Sequence, residues 1–394
     1  MNNILDQAET LCSGCSVCVY SCPRNCISIK QQNAFYSAHI DEAKCIKCGL
    51  CKKRCYRFID KSSPVNSTIY CLKSRDGELL KKSSSGGMSF TLMKKLIENG
   101  YIVFGFGYEI SSKECKMFKA ETLDELGVFL GSKYFQSNVY NEKLFKTIIS
   151  ECSNTKMAFF GTPCIIAGIK ALLSGFKLDE VIFVDLFCHG APSDLLWKKY
   201  YNYIEKRTGT IKRVEFRSKK YGWHTFSNVL FGEKGCYSSV NDKYYELYFS
   251  GLFTNPSCFG CKVKNDFSNS DIRLGDAWGP THDRNKTGVS VVVCNTKKGK
   301  NLVGQCFDEI IYEKSISEKE ISRFQSIYSS KTFTDKNRQF INYLLTESDF
   351  ETIYNAYVKS LPLKVRIKRL FKKISNSLPF GLKQYIKYLH HKRI

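Results

Sequence analysis

The sequence predicts a chain of three parts: an α+β cysteine-rich module, a larger α/β domain and a basic helical tail. Residues 1–60 contain nine cysteines in two matching halves, strand and helix patterns alternate from residue 69, and residues 359–394 carry eleven Lys/Arg without any Asp or Glu. With 394 residues, of which 43% are hydrophobic, the chain is long enough to build two or three folded domains. The predicted boundaries are 1–60, 69–150, 155–330 and 331–394, where the second and third ranges are two parts of one domain.

The composition narrows the class of protein further. No apolar run approaches the roughly 18 residues needed to cross a bilayer. The first residues also lack the basic and then apolar pattern of a secretory signal. We therefore expect a cytoplasmic protein. Nineteen cysteines in that compartment indicate metal or redox chemistry, because cytosolic thiols are kept reduced.

The spacing of the first eight cysteines predicts two iron–sulfur clusters. Two runs of C-x2-C-x2-C-x3-C, beginning at Cys12 and Cys45, follow the pattern of bacterial two-cluster ferredoxins. In that pattern the fourth cysteine of each run binds the cluster of the other run. The predicted ligands of one 4Fe-4S cluster are Cys12, Cys15, Cys18 and Cys55, and those of the other are Cys45, Cys48, Cys51 and Cys22.

Zinc sites and disulfides are the alternatives for these cysteines. Zinc sites prefer CxxC pairs separated by a longer loop, and disulfides need an oxidising compartment, so both fit less well. Two residues depart from the ferredoxin pattern. Tyr56 stands where a proline often follows the last ligand, and Cys26 lies outside the spacing, where we expect a small buried residue.

The cysteine runs of this module are surrounded by basic residues. Positive charge there favours the reduced form of a cluster and attracts an acidic electron donor. A merely solvated basic surface is the alternative. The basic residues are Arg24, Lys44, Lys47, Lys52, Lys53, Arg54 and Arg57.

The middle of the chain has the alternating pattern of an α/β domain. Residues 156–160 and 181–187 are predicted buried strands, and each runs directly into a cysteine-bearing loop. In α/β domains, binding and catalytic sites commonly lie at the carboxyl ends of the strands. Further strands are predicted at 69–74 and 101–108, helices after 83–87 and at 165–173 and 193–205, a turn at 76–77, a β-rich stretch at 211–255 and a helical stretch at 310–360.

Two further features of this domain remain ambiguous from spacing alone. Cys164, Cys188 and the pair Cys258-x2-Cys261 can hold a third cluster, but a CxxC pair suits zinc equally well and lone cysteines commonly serve packing. The loop 83–87, Ser-Ser-Ser-Gly-Gly before a helix, fits a phosphate cradle or an ordinary N-cap loop.

Six motifs in order resemble one known family. They are SSSGGMSF at 83–90, GSKYFQS at 131–137, GTPCIIAGIK at 161–170, DLFCHGAPS at 185–193, CFGCKVKN at 258–265 and DIRLGDAWG at 271–279. Together they resemble the β-subunit family of deazaflavin-coenzyme (factor-420) hydrogenases and dehydrogenases over residues 69–330. The full prediction is then an α+β ferredoxin-like two-cluster module, an α/β flavin-binding catalytic domain and a helical basic C-terminal tail.

The resemblance implies cofactors and site residues. Members of the family are FAD-containing iron–sulfur oxidoreductases. The resemblance makes Cys164, Cys188, Cys258 and Cys261 expected ligands of a third 4Fe-4S cluster, and Ser85, Gly86, Gly87, Ser132 and Lys133 expected parts of the flavin site.

Two of the motif residues are catalytic candidates. Lys133 is expected to place a charge beside the flavin. The imidazole of His189 has the acidity needed to supply the proton that accompanies hydride transfer. The alternatives are an ordinary surface lysine, and a histidine that caps a turn or bonds a cluster sulfur.

The expected function is electron flow from a ferredoxin-like donor through the clusters to FAD and on to an organic acceptor. Because bacterial members often occur among genes for surface polysaccharides, a sugar or lipid-linked sugar is the acceptor class expected. One alternative is a subunit that reduces or oxidises the deazaflavin coenzyme for a separate hydrogenase or dehydrogenase. Another is a scaffold whose clusters are structural.

The sequence pattern of residues 359–394 predicts two basic amphipathic helices. Apolar residues at 363, 367, 370, 371 and 374 recur at helical spacing, and a similar stripe follows Pro379. Such helices suit an anionic membrane surface, so a peripheral position on its inner face is expected. A helix packed on the body of the protein or against a partner protein is the alternative, and nucleic-acid binding is not expected.

Overall fold

The computed structural model describes residues 2–4, 11–59, 65–325 and 332–377, with side chains up to residue 371. The helices are α1 (Val17–Tyr20), α2 (Leu50–Arg54), α3 (Gly77–Lys82), α4 (Met88–Glu98), α5 (Glu142–Glu151), α6 (Pro163–Leu172), α7 (Asp194–Thr208), α8 (Lys243–Ser250), α9 (Lys297–Gln305), α10 (Glu318–Phe324), α11 (Asp335–Thr346), α12 (Phe350–Lys359) and α13 (Leu363–Ser377). The strands are β1 (Ile27–Gln32), β2 (Phe35–Ile40), β3 (Thr68–Ser74), β4 (Ile102–Glu109), β5 (Glu114–Ala120), β6 (Met157–Phe160), β7 (Val181–Leu186), β8 (Ile211–Glu215), β9 (Val229–Gly232), β10 (Gly235–Tyr237), β11 (Ile272–Asp276), β12 (Ser290–Cys294) and β13 (Ile310–Tyr312).

The N-terminal module repeats one backbone pattern in its two cysteine runs. Gly14 and Lys47, which follow the first cysteine of each run by two residues, have φ values of 73° and 54°. Ser16 and Gly49, two residues further on, have φ values of 66° and 78° and directly precede α1 and α2. These left-handed residues turn each run back on itself, which brings its cysteines toward one centre. The hairpin β1–β2 completes the module.

The central domain is built on an eight-stranded sheet of order β13-β3-β12-β11-β7-β6-β4-β5. The strands β4, β6, β7 and β11 run parallel to their neighbours within this group, and the outer strands are antiparallel. All residues of β6 are buried, as expected for a parallel strand covered on both faces. Helices α4 and α9 contribute to the core that includes Leu92 and Leu302, and α5 and α6 to the core that includes Ile148 and Ile166.

A third core surrounds Trp197 of α7. It combines α7 and α8 with the three-stranded sheet β10-β9-β8 and with side chains of α11 and α12. Trp197 is fully buried and stacks on Phe135 at a centroid distance of 5.1 Å. The stretch 211–255, predicted to be β-rich, therefore contains both these strands and the helix α8, because Tyr244 and Leu247 of α8 are buried in the same core.

One local prediction was wrong, and the prediction of a helical stretch at 310–360, which contains α10, α11 and α12, was incomplete. The predicted turn at Asp76 is the start of α3, where the Asp76 carboxylate caps the helix by accepting hydrogen bonds from the backbone N–H groups of Glu78 and Leu79. The predicted helical stretch 310–360 begins with the strand β13, because Ile310 is fully buried and its strand pairs with β3. Both differences arise from tertiary or capping contacts that hydrophobic spacing does not reveal.

Candidate redox and cofactor site

The first cysteine group consists of Cys12, Cys15, Cys18 and Cys55. These four thiols line one cavity of about 20 Å³ in the N-terminal module. Burial, with smaller contributions from the neighbouring Cys55 and Cys12 thiolates, raises the pKa of Cys15 to about 12. The structure thus brings together the four residues predicted to bind one cluster.

Two sulfurs of the first group accept hydrogen bonds. The backbone N–H groups of Gly14 and Ala38 donate to Cys12 Sγ at 3.4 and 3.5 Å, and Arg57 Nε donates to Cys55 Sγ at 3.3 Å. Donors of this kind stabilise negative charge on cluster sulfurs and so shift a cluster's reduction potential upward.

The second cysteine group consists of Cys22, Cys45, Cys48 and Cys51. Burial raises the pKa of Cys51, and the Cys22 and Cys45 thiolates raise it further, so these three lie close together. Cys48 is the exposed member of the group. Its exposure places this group at the surface of the module.

Cys26 adjoins the second group. It is buried, as predicted, but its Sγ also lies 3.3 Å from Cys22 Sγ, which sequence spacing did not reveal. Burial raises the pKa of Cys22, but hydrogen bonds from Cys26 and from the backbone of Arg24 and Asn25 together lower it more, so the net shift is downward.

The third cysteine group consists of Cys164, Cys188, Cys258 and Cys261. Cys164 is at the start of α6 and Cys188 follows β7, so the two leave adjacent parallel strands at the same edge of the sheet. Burial, with smaller contributions from Cys188 and Cys261, raises the pKa of Cys258 to about 12. Burial likewise raises the pKa of Cys164, with added effects of Cys261, Cys188 and Cys258. The fold therefore gathers four thiols from three separate segments.

All nineteen cysteines are free thiols. Within the described ranges, no three His, Cys, Asp or Glu side chains converge closely enough to share a single metal ion. The four thiolates of a cubane bind four separate irons, so their sulfurs need not meet at one point.

A buried ion pair holds the loop that carries part of the third group. Arg273 Nε and Nη2 donate to the two carboxylate oxygens of Asp185 at 2.7 and 2.6 Å, and both side chains are fully buried. Arg273 also donates to the backbone carbonyls of Lys264 at 2.9 Å and Asp266 at 2.8 Å, just beyond Cys261. Burial raises the pKa of Asp185 while the Arg273 guanidinium opposes that shift. Asp185 and Arg273 both stand in motifs quoted above, but no sequence signal paired them, because they lie 88 residues apart.

A cavity of about 790 Å³ lies beside the third group. It occupies the carboxyl ends of the parallel strands, where open α/β sheets commonly bind ligands. Three thiols of the third group line it: Cys188, Cys258 and Cys261. The site residues predicted from sequence that line the same cavity are Ser85, Gly87, Ser132, Lys133 and His189.

Gly86 packs the serine–glycine loop onto the sheet. A Cβ atom placed on Gly86 would lie 2.6 Å from the Leu72 carbonyl oxygen and 2.6 Å from the Ser290 amide nitrogen. The next residue, Gly87, has φ 82° and begins α4. The glycines therefore let the loop approach the sheet closely and then turn into the helix.

The loop and the start of α4 fit a phosphate-bearing flavin. Helix α4 has eleven residues and no side-chain cap at Gly87, so its first N–H groups are available to an anion where Met88 and Ser89 line the cavity. The Ser83 hydroxyl is buried, lines the cavity and has no hydrogen-bond partner among the described residues. The Ser132 backbone N–H donates to Ser84 Oγ at 2.8 Å, which joins the two predicted flavin segments.

The ammonium group of Lys133 donates hydrogen bonds to backbone carbonyls of the protein. Its Nζ donates to the backbone carbonyls of Phe106 and Leu130 at 3.0 Å, and those of Phe129 and Val128 lie at 3.2 and 3.3 Å. Burial lowers the pKa of Lys133 to about 8. The lysine thus fastens the turn before it, and its role beside a flavin stays a prediction.

Lys219 is a second lysine that binds backbone carbonyls, and sequence reasoning missed it. Its Nζ donates to the carbonyls of Ser85 at 2.6 Å and Leu80 at 2.7 Å, and to that of Thr287. Burial lowers the pKa of Lys219 to about 8. This side chain fixes the serine–glycine loop to two neighbouring segments.

Aromatic side chains form one wall of the cavity: Phe226, Tyr248, Phe249, Phe259 and Trp278. Trp278 stacks on Trp223 at a centroid distance of 4.8 Å, and the Trp223 indole N–H donates to Asp276 Oδ1 at 2.8 Å. Asp276 also lines the cavity, as does the exposed His189. An apolar wall with a carboxylate and an imidazole nearby suits an organic ligand.

The cysteine groups within a mixed α/β fold define an iron–sulfur protein of the electron-transferring oxidoreductase class. Residues 11–58 match the family described as 4Fe-4S dicluster domain. Residues 154–320 match the family described as the C terminus of the beta subunit of coenzyme F420 hydrogenase/dehydrogenase. The resemblance drawn from the sequence motifs is therefore confirmed for these two parts of the chain.

Two proteins from other organisms are similar to this chain. An uncharacterized protein of Methanocaldococcus jannaschii is 24% identical over 349 residues, which covers 78% of this chain and 89% of that protein. A chain of the F420-reducing [NiFe] hydrogenase complex from Methanosarcina barkeri is 21% identical with a TM-score of 0.47, covering 70% of this chain and 91% of that chain.

Proposed function

We propose that the chain is a flavin-dependent iron–sulfur oxidoreductase. It takes single electrons from a ferredoxin-like donor at its N-terminal module and delivers them in pairs to an organic acceptor in the large cavity. The observation that carries this proposal is that the third cysteine group and the serine–glycine loop border the same cavity. When bound, FAD accepts electrons singly and releases two as a hydride, which couples iron–sulfur chemistry to an organic substrate.

The residues of the cavity have separate roles in this proposal. The free end of α4 and the Ser83 hydroxyl hold the flavin phosphates, and Lys219 keeps the loop in place. Arg273 orients the loop that follows Cys261. The aromatic wall excludes water and packs on the acceptor, while His189 supplies the proton that accompanies hydride transfer.

Cofactor content tests the proposal directly. Protein purified without oxygen is expected to contain about 12 Fe per chain, because each cubane holds four irons. We also expect about one FAD per chain. Iron and sulfide determination together with the flavin spectrum measure both. Zinc in place of iron would contradict the iron–sulfur assignment, whereas about 8 Fe without flavin would contradict only the third cluster and the flavin.

The acceptor is proposed as a sugar or lipid-linked sugar of surface polysaccharide synthesis. The family description favours the deazaflavin coenzyme as the second candidate, with the chain serving a separate hydrogenase or dehydrogenase. Reoxidation of the reduced protein by each compound in turn, followed by its flavin absorbance, distinguishes the two. Full reduction by dithionite without reoxidation by either would favour the scaffold with structural clusters.

The donor is proposed to dock on the loop that carries Cys48. Ile46 and Leu50 are 60% and 41% exposed on either side of the exposed Cys48, and Lys47 and Lys53 are exposed beside them. Apolar contact area with surrounding positive charge suits an acidic redox protein, because opposite charges steer the encounter.

Reversing two charges on this loop is expected to weaken donor binding. The double variant Lys47→Glu/Lys53→Glu should lower the association rate of an acidic two-cluster ferredoxin about tenfold at low salt. Binding kinetics on immobilised ferredoxin measure the effect, which should shrink as salt is added. The matched control is Lys297→Glu/Lys300→Glu, which changes two exposed lysines of α9. An equal fall in the association rate of the control would mean that only the net charge of the protein matters, and would contradict docking at the loop of Cys48.

The tail is proposed to bind an anionic membrane surface. The large apolar residues of α13 are uncovered, with Leu363, Leu370 and Phe371 exposed by 69%, 61% and 66%. Basic residues fill the other positions, and Arg369 anchors the helix by donating to Glu246 Oε2 at 2.7 Å. No helix in the described part of the chain has the length and hydrophobicity to span a bilayer. The predicted stripe after Pro379 lies outside the described residues.

Removing the apolar side chains of α13 is expected to release the protein from vesicles. Leu370→Ser/Phe371→Ser should lower binding to vesicles that contain anionic lipid about tenfold. Burial of each side chain contributes about 1.5–3 kcal/mol to binding before the entropic cost of ordering the helix at the surface is subtracted. Flotation with anionic and neutral vesicles measures this. Phe307→Ser, at a residue exposed by 60%, is the control and should bind like the unchanged protein. Truncation of residues 359–394 with undiminished binding would contradict the proposal.

A further inference from the structure

Tyr56 lies between the first and the third cysteine groups. It follows Cys55 directly, begins a short helical turn and is buried. With Ala167 of α6 and Val263 it forms a small apolar cluster, against which Cys15, Cys164 and Cys261 pack. One side chain thus joins a thiol of the first group to two thiols of the third. The sequence marked this position only as one where a proline is usual.

Gly168 brings the same two groups together along α6. It lies four residues after Cys164, so both residues share one face of the helix. A Cβ atom placed on Gly168 would lie 3.2 Å from Cys15 Sγ and 3.0 Å from Val17 Cγ2. A glycine inside a helix weakens the helix, so its presence here is explained by the close approach of Cys15.

Further contacts fix the N-terminal module against α6. Arg54 Nη1 donates to the backbone carbonyls of Ala171 at 2.7 Å and Leu172 at 3.2 Å, at the end of the helix opposite Cys164. On another side of the module, Gln136 Nε2 donates to the carbonyls of Ser13 and Tyr36 at 3.0 Å each. The distance between the two cysteine groups is therefore set by packing on both sides.

We propose that Tyr56 and Gly168 form a fixed junction that sets the electronic contact between the first and the third cysteine groups. Electron tunnelling weakens steeply with distance, so the packed contact at Cys15 favours exchange between these two groups. The second group, with its exposed Cys48, is then the group that accepts electrons from the donor. The junction rests on the proposed third cluster.

The test uses the full cofactor-loaded protein and a spectroscopic readout. Two reduced clusters in close contact broaden and split each other's low-temperature paramagnetic resonance signals. Gly168→Val places two methyl groups where Cys15 and Val17 now lie, so it should keep the full iron content but reduce the splitting between the first and third clusters. Gly304→Val in α9 is the matched control, because nothing lies within 4 Å of a Cβ atom there. It should leave the splitting unchanged.

A second pair of variants decides the matter if Gly168→Val does not load iron. Tyr56→Ala should reduce the splitting and slow reduction of the third cluster at least severalfold. Tyr56→Phe should retain both the splitting and the rate of reduction, because the aromatic ring remains. Unchanged splitting in Tyr56→Ala with the full iron content would overturn the junction alone. Unmodified protein that carries about 8 Fe and no third signal would overturn the third cluster, and the junction with it.

Discussion

Replacing Arg273 by Met is expected to destabilise the protein by about 3–5 kcal/mol. The substitution removes the partner of the fully buried Asp185 and leaves that carboxylate without its opposite charge. It also leaves the carbonyls of Lys264 and Asp266 without the donor that fixes the loop after Cys261. The shift in denaturation midpoint of the holoprotein measures the loss.

Two comparisons separate the buried charge from other effects of the Arg273 change. Arg273→Met/Asp185→Leu removes both charges and should recover the part of the lost stability that is due to the uncompensated buried charge, but not the part due to the two carbonyls that lose their donor. Arg338→Met breaks an exposed pair with Asp335 and should change the midpoint little. An Arg273→Met midpoint no lower than that of Arg338→Met would contradict the structural role of this ion pair.

The first two cysteine groups were predictable because their geometry is local. The spacing of Cys12, Cys15 and Cys18 fixes how the backbone turns, and only Cys55 must cross from the other run. That crossing is part of the same repeated pattern, so the sequence contained the whole arrangement. Cys26 was different: its burial was expected because free cysteines are commonly buried, but its contact with Cys22 depends on how the loop closes.

The third group was only partly predictable, because its members meet through the sheet. Cys164 and Cys188 follow predicted strands, but only the parallel pairing of β6 with β7 places them side by side. The resemblance to a known family supplied what spacing did not. Arg273 stands in one of the quoted motifs, but its pairing with Asp185 could not be found from the sequence, and neither could the contact of Lys219 with the Ser85 carbonyl, because these partners lie at long sequence separation.

Secondary structure followed the sequence where burial alone determines it. The strands β6 and β7 and the helix α4 agree with the predicted segments within one or two residues. The start of α3 and the short strand β13 were missed, since the first depends on the Asp76 cap and the second on pairing with β3. Hydrophobic periodicity does not report either kind of contact.

Replacing Cys258 by Ala is expected to remove about 4 Fe per chain and leave the N-terminal clusters intact. Each cubane needs four thiolates, and Cys258 contributes one of the four that the fold gathers beside the cavity. Iron analysis measures the loss, and paramagnetic resonance shows which signal disappears. Cys294→Ala is the matched control: it also removes a buried thiol, but this one lies in β12 within an apolar core. Because both variants leave a similar small void, iron lost in both would indicate general destabilisation, and the full iron content in Cys258→Ala would exclude that thiol as a ligand.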